Sequence, residues 1–193
     1  MDVISAIRNR RSIRRFDSRP IPDEVLKTLA DVARLYASGG NMQPMKTAVI
    51  SRKEGVDTVF SSLNWAMYVP GFQIREDQRP MAYLVLIGDK NIRTPYQFDL
   101  GAMATTVMLA AQEYGIASCC LAIARKKIVR EMLALPENLE PEVVIALGYP
   151  GQESREVPFA DTQKYVELPN GNMEVPKRTV QETVIYADWE EKA

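Results

Sequence analysis

The chain contains no histidine. That absence removes Ser-His-Asp and Cys-His hydrolase arrangements, histidine-ligated zinc and imidazole acid-base catalysis together. Cysteine is almost as scarce. The two present, Cys119 and Cys120, are adjacent, too few for a four-cysteine zinc site and without the secretory features that go with a disulfide framework. They read as small buried apolar residues rather than as a redox pair. No uncharged apolar run reaches the roughly 18 residues of a membrane span, and the Met1-Asp2-Val3-Ile4 start lacks the basic and apolar regions of a signal peptide. The expected location is the cytoplasm. Charge of one sign is missing too, with 24 Lys+Arg against 25 Asp+Glu. Any enzymatic chemistry then falls mainly to an organic cofactor.

Against that neutral background, Arg10-Arg11-Ser12-Ile13-Arg14-Arg15 is a local concentration of positive charge in which every residue but Ile13 can grip an anion. A nucleic acid is disfavoured, because its affinity comes from neutralising many phosphates with a basic face, and the pI here is about 5.7. A membrane surface is disfavoured by the lack of a lipid signal or a strongly basic amphipathic helix. One small phosphorylated ligand remains. Ser12 supports it, since a hydroxyl between guanidiniums adds a short directional phosphate contact.

At 193 residues and 46% hydrophobic, the chain can bury a real core and is expected to form one α-β domain over residues 1–193. Helices are predicted at Val3 to Asn9 and at Asp23 to Tyr36, the second with Val25, Leu26, Leu29, Ala30, Val32, Ala33 and Tyr36 on its apolar side. Strands are predicted at Ala48 to Ser51, Met81 to Ile87, Ile116 to Ile123 and Val143 to Leu147, with apolar density that suggests burial on both faces. A helix over Asp99 to Tyr114 carries no charge from Leu100 to Ala111 and is closed by Gly115. It is either central to a large core or packed on a second copy of the chain, and the small size favours the second. Lys126 to Leu133 reads as a helix, and Lys164 to Val175 as a hairpin about a type I′ Asn170-Gly171 turn. Thr179 to Trp189 reads as a last helix or an extended tail, and Gly151 to Asp161 gives no readable chemistry.

A second motif, Ser38-Gly39-Gly40-Asn41-Met42-Gln43-Pro44, follows the second helix. Its glycines let backbone approach a flat ligand closely, and Asn41 and Gln43 offer donors and acceptors for polar ring edges. Taken with Arg-Arg-Ser-x-Arg, with Ile116-Ala117-Ser118-Cys119-Cys120-Leu121 after the long helix, with Ala146-Leu147-Gly148-Tyr149-Pro150 and with Val175-Pro176-Lys177-Arg178, it makes the chain resemble the FMN-dependent nitroreductase family over nearly its whole length.

The resemblance implies a three-layer α/β/α fold of the α+β class, with a mixed, mainly antiparallel sheet flanked by helices. It also implies a homodimer with FMN at the subunit interface and residues 164–193 as a C-terminal hairpin and arm. It assigns Arg10, Ser12 and Arg178 to the FMN phosphate, Arg11 to the ribityl chain or phosphate, and Arg14 to the flavin pyrimidine edge. Ser38, Gly39, Asn41 and Gln43 match the loop that reaches the flavin from the opposite subunit, and Leu121 and Ala122 match the segment lining the ring. Pro176 stands where the family often has Lys, so Lys177 follows as a displaced counterpart, and Met45 stands where many relatives have Trp. The stretch from Asn64 to Arg79, with Trp65, Tyr68 and Phe72, is expected either to shape the substrate pocket or to be ordinary core.

The implied reaction is two-step. NADH or NADPH reduces the flavin by hydride transfer, and a nitroaromatic, quinone or similar small oxidised acceptor then takes the reducing equivalents. No metal and no nucleophilic side chain is expected. The alternative is a flavin-binding protein that sequesters or senses FMN without efficient turnover, and a third possibility is an anion-binding module without flavin. No Gly-x-Gly-x-x-Gly fingerprint indicates which nicotinamide is preferred.

Overall fold

A computed structural model describes residues 1–187. Its centre is a five-stranded antiparallel sheet. The strands are β1 (Phe16–Asp17), β2 (Met45–Ile50), β3 (Ala82–Asp89), β4 (Ala117–Ala122) and β5 (Leu139–Pro150). β3 lies between β2 and β5, and both β4 and β1 pair with β5. Because side chains alternate along a strand, the two faces of the sheet carry two separate cores. Ala82, Leu84, Leu86, Ile145 and Leu147 meet Leu26, Leu29 and Ala33 of α2 (Asp23–Ala33) and Met103, Val107 and Ala111 of α4 (Gln97–Glu113). Tyr83, Val85, Val144 and Ala146 meet Val56 and Val59 of α3 (Lys53–Ser61) and Val129 of α5 (Lys126–Met132). The expected three layers follow. Every residue of β3 is buried, and each fully buried Leu or Val is worth about 1.5–3 kcal/mol.

The α4 terminus has a local cause. Gly115 adopts φ 65, its N–H donates to the Gln112 carbonyl at 3.1 Å, and Ile116 N–H reaches the Ala111 carbonyl at 3.0 Å. This paired pattern stops a helix by satisfying its last carbonyls, and it favours glycine at the left-handed residue. α4 starts two residues earlier than expected, at Gln97. One side is buried in the core through Met103, Ala104, Val107 and Ala111, while Phe98 on its first turn is 93% exposed.

Three other expectations change. The second helix ends at Ala33, and Tyr36 lies beyond it with its hydroxyl accepting from Met45 N–H at 3.2 Å. α3 was not foreseen, because Gly55 and β-branched residues obscure its period. Gly55 is favoured by packing, since a Cβ there would stand 2.8 Å from Ile50 Cγ2 and force that side chain to move.

The third change lies in a smaller sheet. In it, β6 (Ser154–Pro158) pairs parallel with β8 (Met173–Lys177), which pairs antiparallel with β7 (Val166–Glu167). The β7–β8 turn is not the expected type I′. Gly171 has φ 83 but Asn170 does not enter the left-handed region, and Gly171 N–H closes on the Leu168 carbonyl at 2.8 Å. Pro169, whose ring fixes φ near −65°, takes the first central position and moves the turn back by one residue. The chain then forms a short helix, α6 (Val180–Thr183), in a capping box between Thr179 and Glu182. Asp188 and Trp189, the end of the expected final segment, lie outside the described residues. Among the described residues no helix is long and apolar enough to cross a membrane.

Candidate functional site

Helix α1 (Val3–Asn9) is capped by Asp2, whose carboxylate accepts from Ser5 N–H at 2.9 Å, and it ends at Arg10. The chain then runs along β4, where Ser12 bridges Ser118 and Ile13 N–H donates to the Ser118 carbonyl at 3.0 Å. Ile13 and Phe16 are buried and pin this segment to the sheet. The arginines between and beside them are held at its edge.

Their partners differ sharply. Arg10 is half-buried and, among the described residues, faces no carboxylate. Burial, then the neighbouring Arg11 charge, push its guanidinium below the usual arginine range. Arg14 is 8% exposed and also lacks a carboxylate. Its N–H donates to Gln152 Oε1 at 3.0 Å, a guanidinium N–H reaches the Ser12 carbonyl at 3.4 Å, and the guanidinium lies 4.2 Å from the Tyr165 ring centroid. Arg14 Nε, Arg11 Nε and Ser118 Oγ are buried without partners. Arg11 donates to the Arg10 carbonyl at 2.7 Å and pairs with Glu156. Arg15, in contrast, is saturated: it pairs with Glu167, donates to the Gly171 and Gln73 carbonyls at 3.3 and 3.2 Å, and covers the Phe72 ring. Burying a cation without an anion costs several kcal/mol. Arg10 and Arg14 therefore mark where an external anion or electron-rich edge would be stabilised.

The cysteines beside them are poor nucleophiles. Cys119 is buried as expected, but Cys120, on the opposite face of the strand, is exposed. Burial raises the Cys119 thiol pKa despite Arg14, Ser12 and Arg10, and partial desolvation followed by the neighbouring Cys119 lifts Cys120 to about 11. Neither carries thiolate at neutral pH, the form that reacts.

The Ser38 loop is built differently. Ser38 Oγ donates to the buried Asp99 carboxylate at 2.5 Å and accepts from Gln43 N–H at 2.9 Å, which closes the loop on α4. Gly39 packs so closely that a Cβ would stand 2.8 Å from the Arg93 guanidinium, whose N–H binds the Gly39 carbonyl at 3.0 Å. Gly40, Asn41 and Gln43 all have left-handed φ, at 61, 55 and 50. Two non-glycine residues in that region within three positions store backbone strain of the sort found at ligand sites. Asn41 and Gln43 are exposed, with Gln43 Nε2 on Asn41 Oδ1 at 2.8 Å.

Strand register places these groups relative to one another. Ser118 stands opposite Leu147, which stands opposite Ala82, so the arginine segment lies at the start of β3. Met45, just after the Ser38 loop, stands opposite Gly88 at the far end of β3. The intervening strand spans about 20 Å. Within one chain the two motifs therefore sit at opposite ends of the sheet. Leu121 and Ala122 lie midway, opposite Val144 and Val143, with Ala122 exposed.

Lys177 and Arg178 are on the arginine side. Lys177 pairs in register with Pro158, two residues past the Glu156 that holds Arg11. Arg178 is exposed, stacked 4.1 Å over the Phe159 ring and paired with Glu182 at 3.3 Å. The 64–79 stretch packs on the same region, with Tyr68 edge-on to Tyr165 at 5.2 Å, Phe72 under Arg15, and Trp65 against Phe60 at 5.7 Å. Gln152 and Glu156 escaped notice as site residues, because no local pattern announces partners 138 and 145 residues away.

These features define an α/β/α protein with an anion-seeking arginine segment at one sheet end and a strained polar loop at the other. Residues 7–149 match the Nitroreductase family, and the chain belongs to it. A provisionally named NADH dehydrogenase/NAD(P)H nitroreductase of Archaeoglobus fulgidus is 30% identical over 159 residues, covering 79% of this chain and 87% of the relative. A nitroreductase family protein of Clostridium difficile superposes with TM-score 0.69 at 25% identity, covering 98% of this chain and 100% of that one. A provisionally named nitroreductase of Desulfovibrio desulfuricans, solved in complex with FMN, superposes with TM-score 0.66 at 25% identity, covering 79% and 88% of the two chains.

Proposed function

We infer that this oxidoreductase of the Nitroreductase family binds FMN, takes reducing equivalents from NADH or NADPH, and passes them to a small oxidised acceptor such as a nitroaromatic or a quinone. The observation that carries the reading is the pair of guanidiniums without carboxylates, Arg10 and Arg14, on one segment beside a buried, unpartnered Ser118 hydroxyl. That donor set fits FMN, which carries a phosphate for Arg10 and an electron-rich ring edge for Arg14.

Bound FMN supplies the hydride chemistry that links donor and acceptor. The chain's own residues bind it and bias it. Arg10, Arg11, Ser12, Lys177 and Arg178 supply phosphate contacts. Arg14, itself 8% exposed, would fix a cation where negative charge gathers on reduction, which favours the reduced state. Leu121 and Ala122 offer main chain along the ring. No side chain has to act as a nucleophile.

The same reading includes a homodimer. Ser38, Gly39, Asn41 and Gln43 are too far along the sheet to reach the Arg10 end of their own chain, and a second copy would supply them. Exposed apolar side chains of α1 and α4, Val3, Ile4, Ile7 and Phe98, offer a surface for it. Phe98→Asp alters no buried contact of the monomer, so it should lower dimer mass by light scattering and bound FMN in parallel. A stable flavin-loaded monomer in the unaltered protein would remove the shared site.

The direct test of function is the visible spectrum of freshly purified protein, followed by anaerobic NADH and then NADPH. The expected result is a flavin spectrum that bleaches with at least one donor and recovers when a quinone is added. A folded protein that stays colourless after incubation with FMN overturns the reading.

A further inference from the structure

A cleft of about 660 Å³ is separate from the Arg10 end of the cluster. Small-molecule sites commonly have about 300–1,000 Å³. Its walls come from Arg15, from the 69–78 stretch, from Gly151 and Gln152, and from the β7–β8 turn. One side chain joins these walls to the proposed cofactor site. Gln152 Oε1 accepts from the N–H groups of Arg14 at 3.0 Å and Arg15 at 2.7 Å, and its Nε2 donates to the Gly171 carbonyl at 3.1 Å. The cleft therefore begins one residue from Arg14.

Its chemistry is cationic and amide-rich. Arg15 is closed on Glu167, but among the described residues Arg75 is held only by Asp77, through two hydrogen bonds of 3.0 Å, with its side chain 70% exposed. An exposed pair of this kind is worth little and exchanges readily for a ligand anion. Gln73 and Gln78 add carboxamides, which can donate and accept at once, and Val69 and Leu168 add apolar surface. An exposed guanidinium, two carboxamides and a small apolar wall together suit a phosphate linked to a flat heterocycle.

We propose that this cleft takes the adenosine diphosphate portion of the nicotinamide donor, with Arg75 as the residue that meets its phosphates. The assignment rests on the functional reading above, because only a donor that reaches the flavin needs its tail held beside Arg14. Arg75 binds substrate without touching the reacting atoms, so its effect belongs in KM.

The test uses FMN-loaded wild type and Arg75→Gln, with adenosine diphosphate as the probe in titration calorimetry and NADH and NADPH in steady-state assays. The expected result is that wild type binds the probe, that Arg75→Gln weakens it at least fivefold, and that KM for the better donor rises by a similar factor while the rate at saturating donor changes less than twofold. An unchanged KM with normal turnover, or no binding of the probe by wild type, overturns the cleft assignment and leaves the functional reading standing. Probe binding that Arg75→Gln weakens, in a protein that oxidises neither nicotinamide, supports a nucleotide cleft but overturns its assignment to the donor and the functional reading with it.

Discussion

The two ends of the central sheet use the same kinds of residue and reach opposite results. At the end where β5 begins, Glu140 receives Lys90 at 3.0 Å, Arg130 at 2.6 Å and Lys126 at 3.3 Å, while Glu142 receives the Tyr96 hydroxyl at 2.8 Å and Lys126 at 2.5 Å. Asp89 adds Lys46 at 3.3 Å and Asn138 at 2.9 Å. Each of the four cations just named has its carboxylate. At the other end Arg10 and Arg14 are drawn into the protein with none. A balanced network holds a fold together, whereas an unbalanced one is completed by something from outside, so the difference separates structural charge from functional charge more reliably than the number of arginines does.

The largest effect expected from breaking that contrast is on cofactor binding. Arg10→Ala combined with Arg178→Ala removes two charge-assisted contacts, each worth about 1.5–3 kcal/mol. Affinity for FMN should fall on the order of a hundredfold or more in a fluorescence titration, with little change in melting temperature because neither side chain is part of the core. Retention of stoichiometric flavin by the folded double variant would return both arginines to ordinary surface charge.

Arg14 tests the electronic half of the same site. Arg14→Gln keeps a hydrogen-bonding side chain of similar reach but removes the cation beside the ring. A lost interaction of about 1.5–3 kcal/mol corresponds to roughly 30–60 mV for a two-electron couple, so the flavin midpoint potential should move down by that amount in a spectroelectrochemical titration. An unchanged potential at full occupancy would place Arg14 away from the ring.

What could be read from the sequence follows from how local each signal is. β3 and β5 announced themselves through continuous apolar runs, and Gly115 marked the end of α4 because a left-handed stop leaves few other choices. The Arg10 cluster and the Ser38 loop were legible as chemistry but not as places. Their separation along the sheet depends on the registers of β2, β3, β4 and β5, which only the folded chain displays. Gln152 stayed hidden in an unremarkable stretch because its role is to accept from Arg14 and Arg15, 138 and 137 residues earlier. β6 stayed hidden for a similar reason, since its partner β8 lies beyond the whole hairpin loop.

The balanced end can be broken through Glu140. Burial alone would raise its carboxyl pKa, but Lys90 and Lys126 outweigh that and hold it below the usual value. A carboxylate whose folded pKa is depressed contributes stability that is present above the unfolded pKa, about 4.3, and lost as pH falls through the lower folded value. Glu140→Gln should therefore cost about 1 kcal/mol at neutral pH, once solvent screening of the exposed partners is counted. The deficit relative to wild type should shrink below about pH 4 in thermal melts, and FMN affinity should not change. A loss of flavin in this variant would mean that the two ends are coupled.

The smallest effect has the opposite sign, and it sharpens the comparison from within the open end. Arg178 is not wholly free, because Glu182 holds it at 3.3 Å, as Glu156 holds Arg11. These carboxylates occupy cations that the phosphate would use, and they must be displaced or shared when it binds. Glu182→Gln removes the competing charge while leaving an amide oxygen able to serve the Thr179 capping box, which accepts Gln as well as Glu. Since the pair is exposed and screened, FMN should bind about twofold more tightly, with the helix content of the arm preserved. Weaker binding in this variant would show instead that Glu182 orients Arg178 toward the phosphate, turning a competitor into a positioning residue.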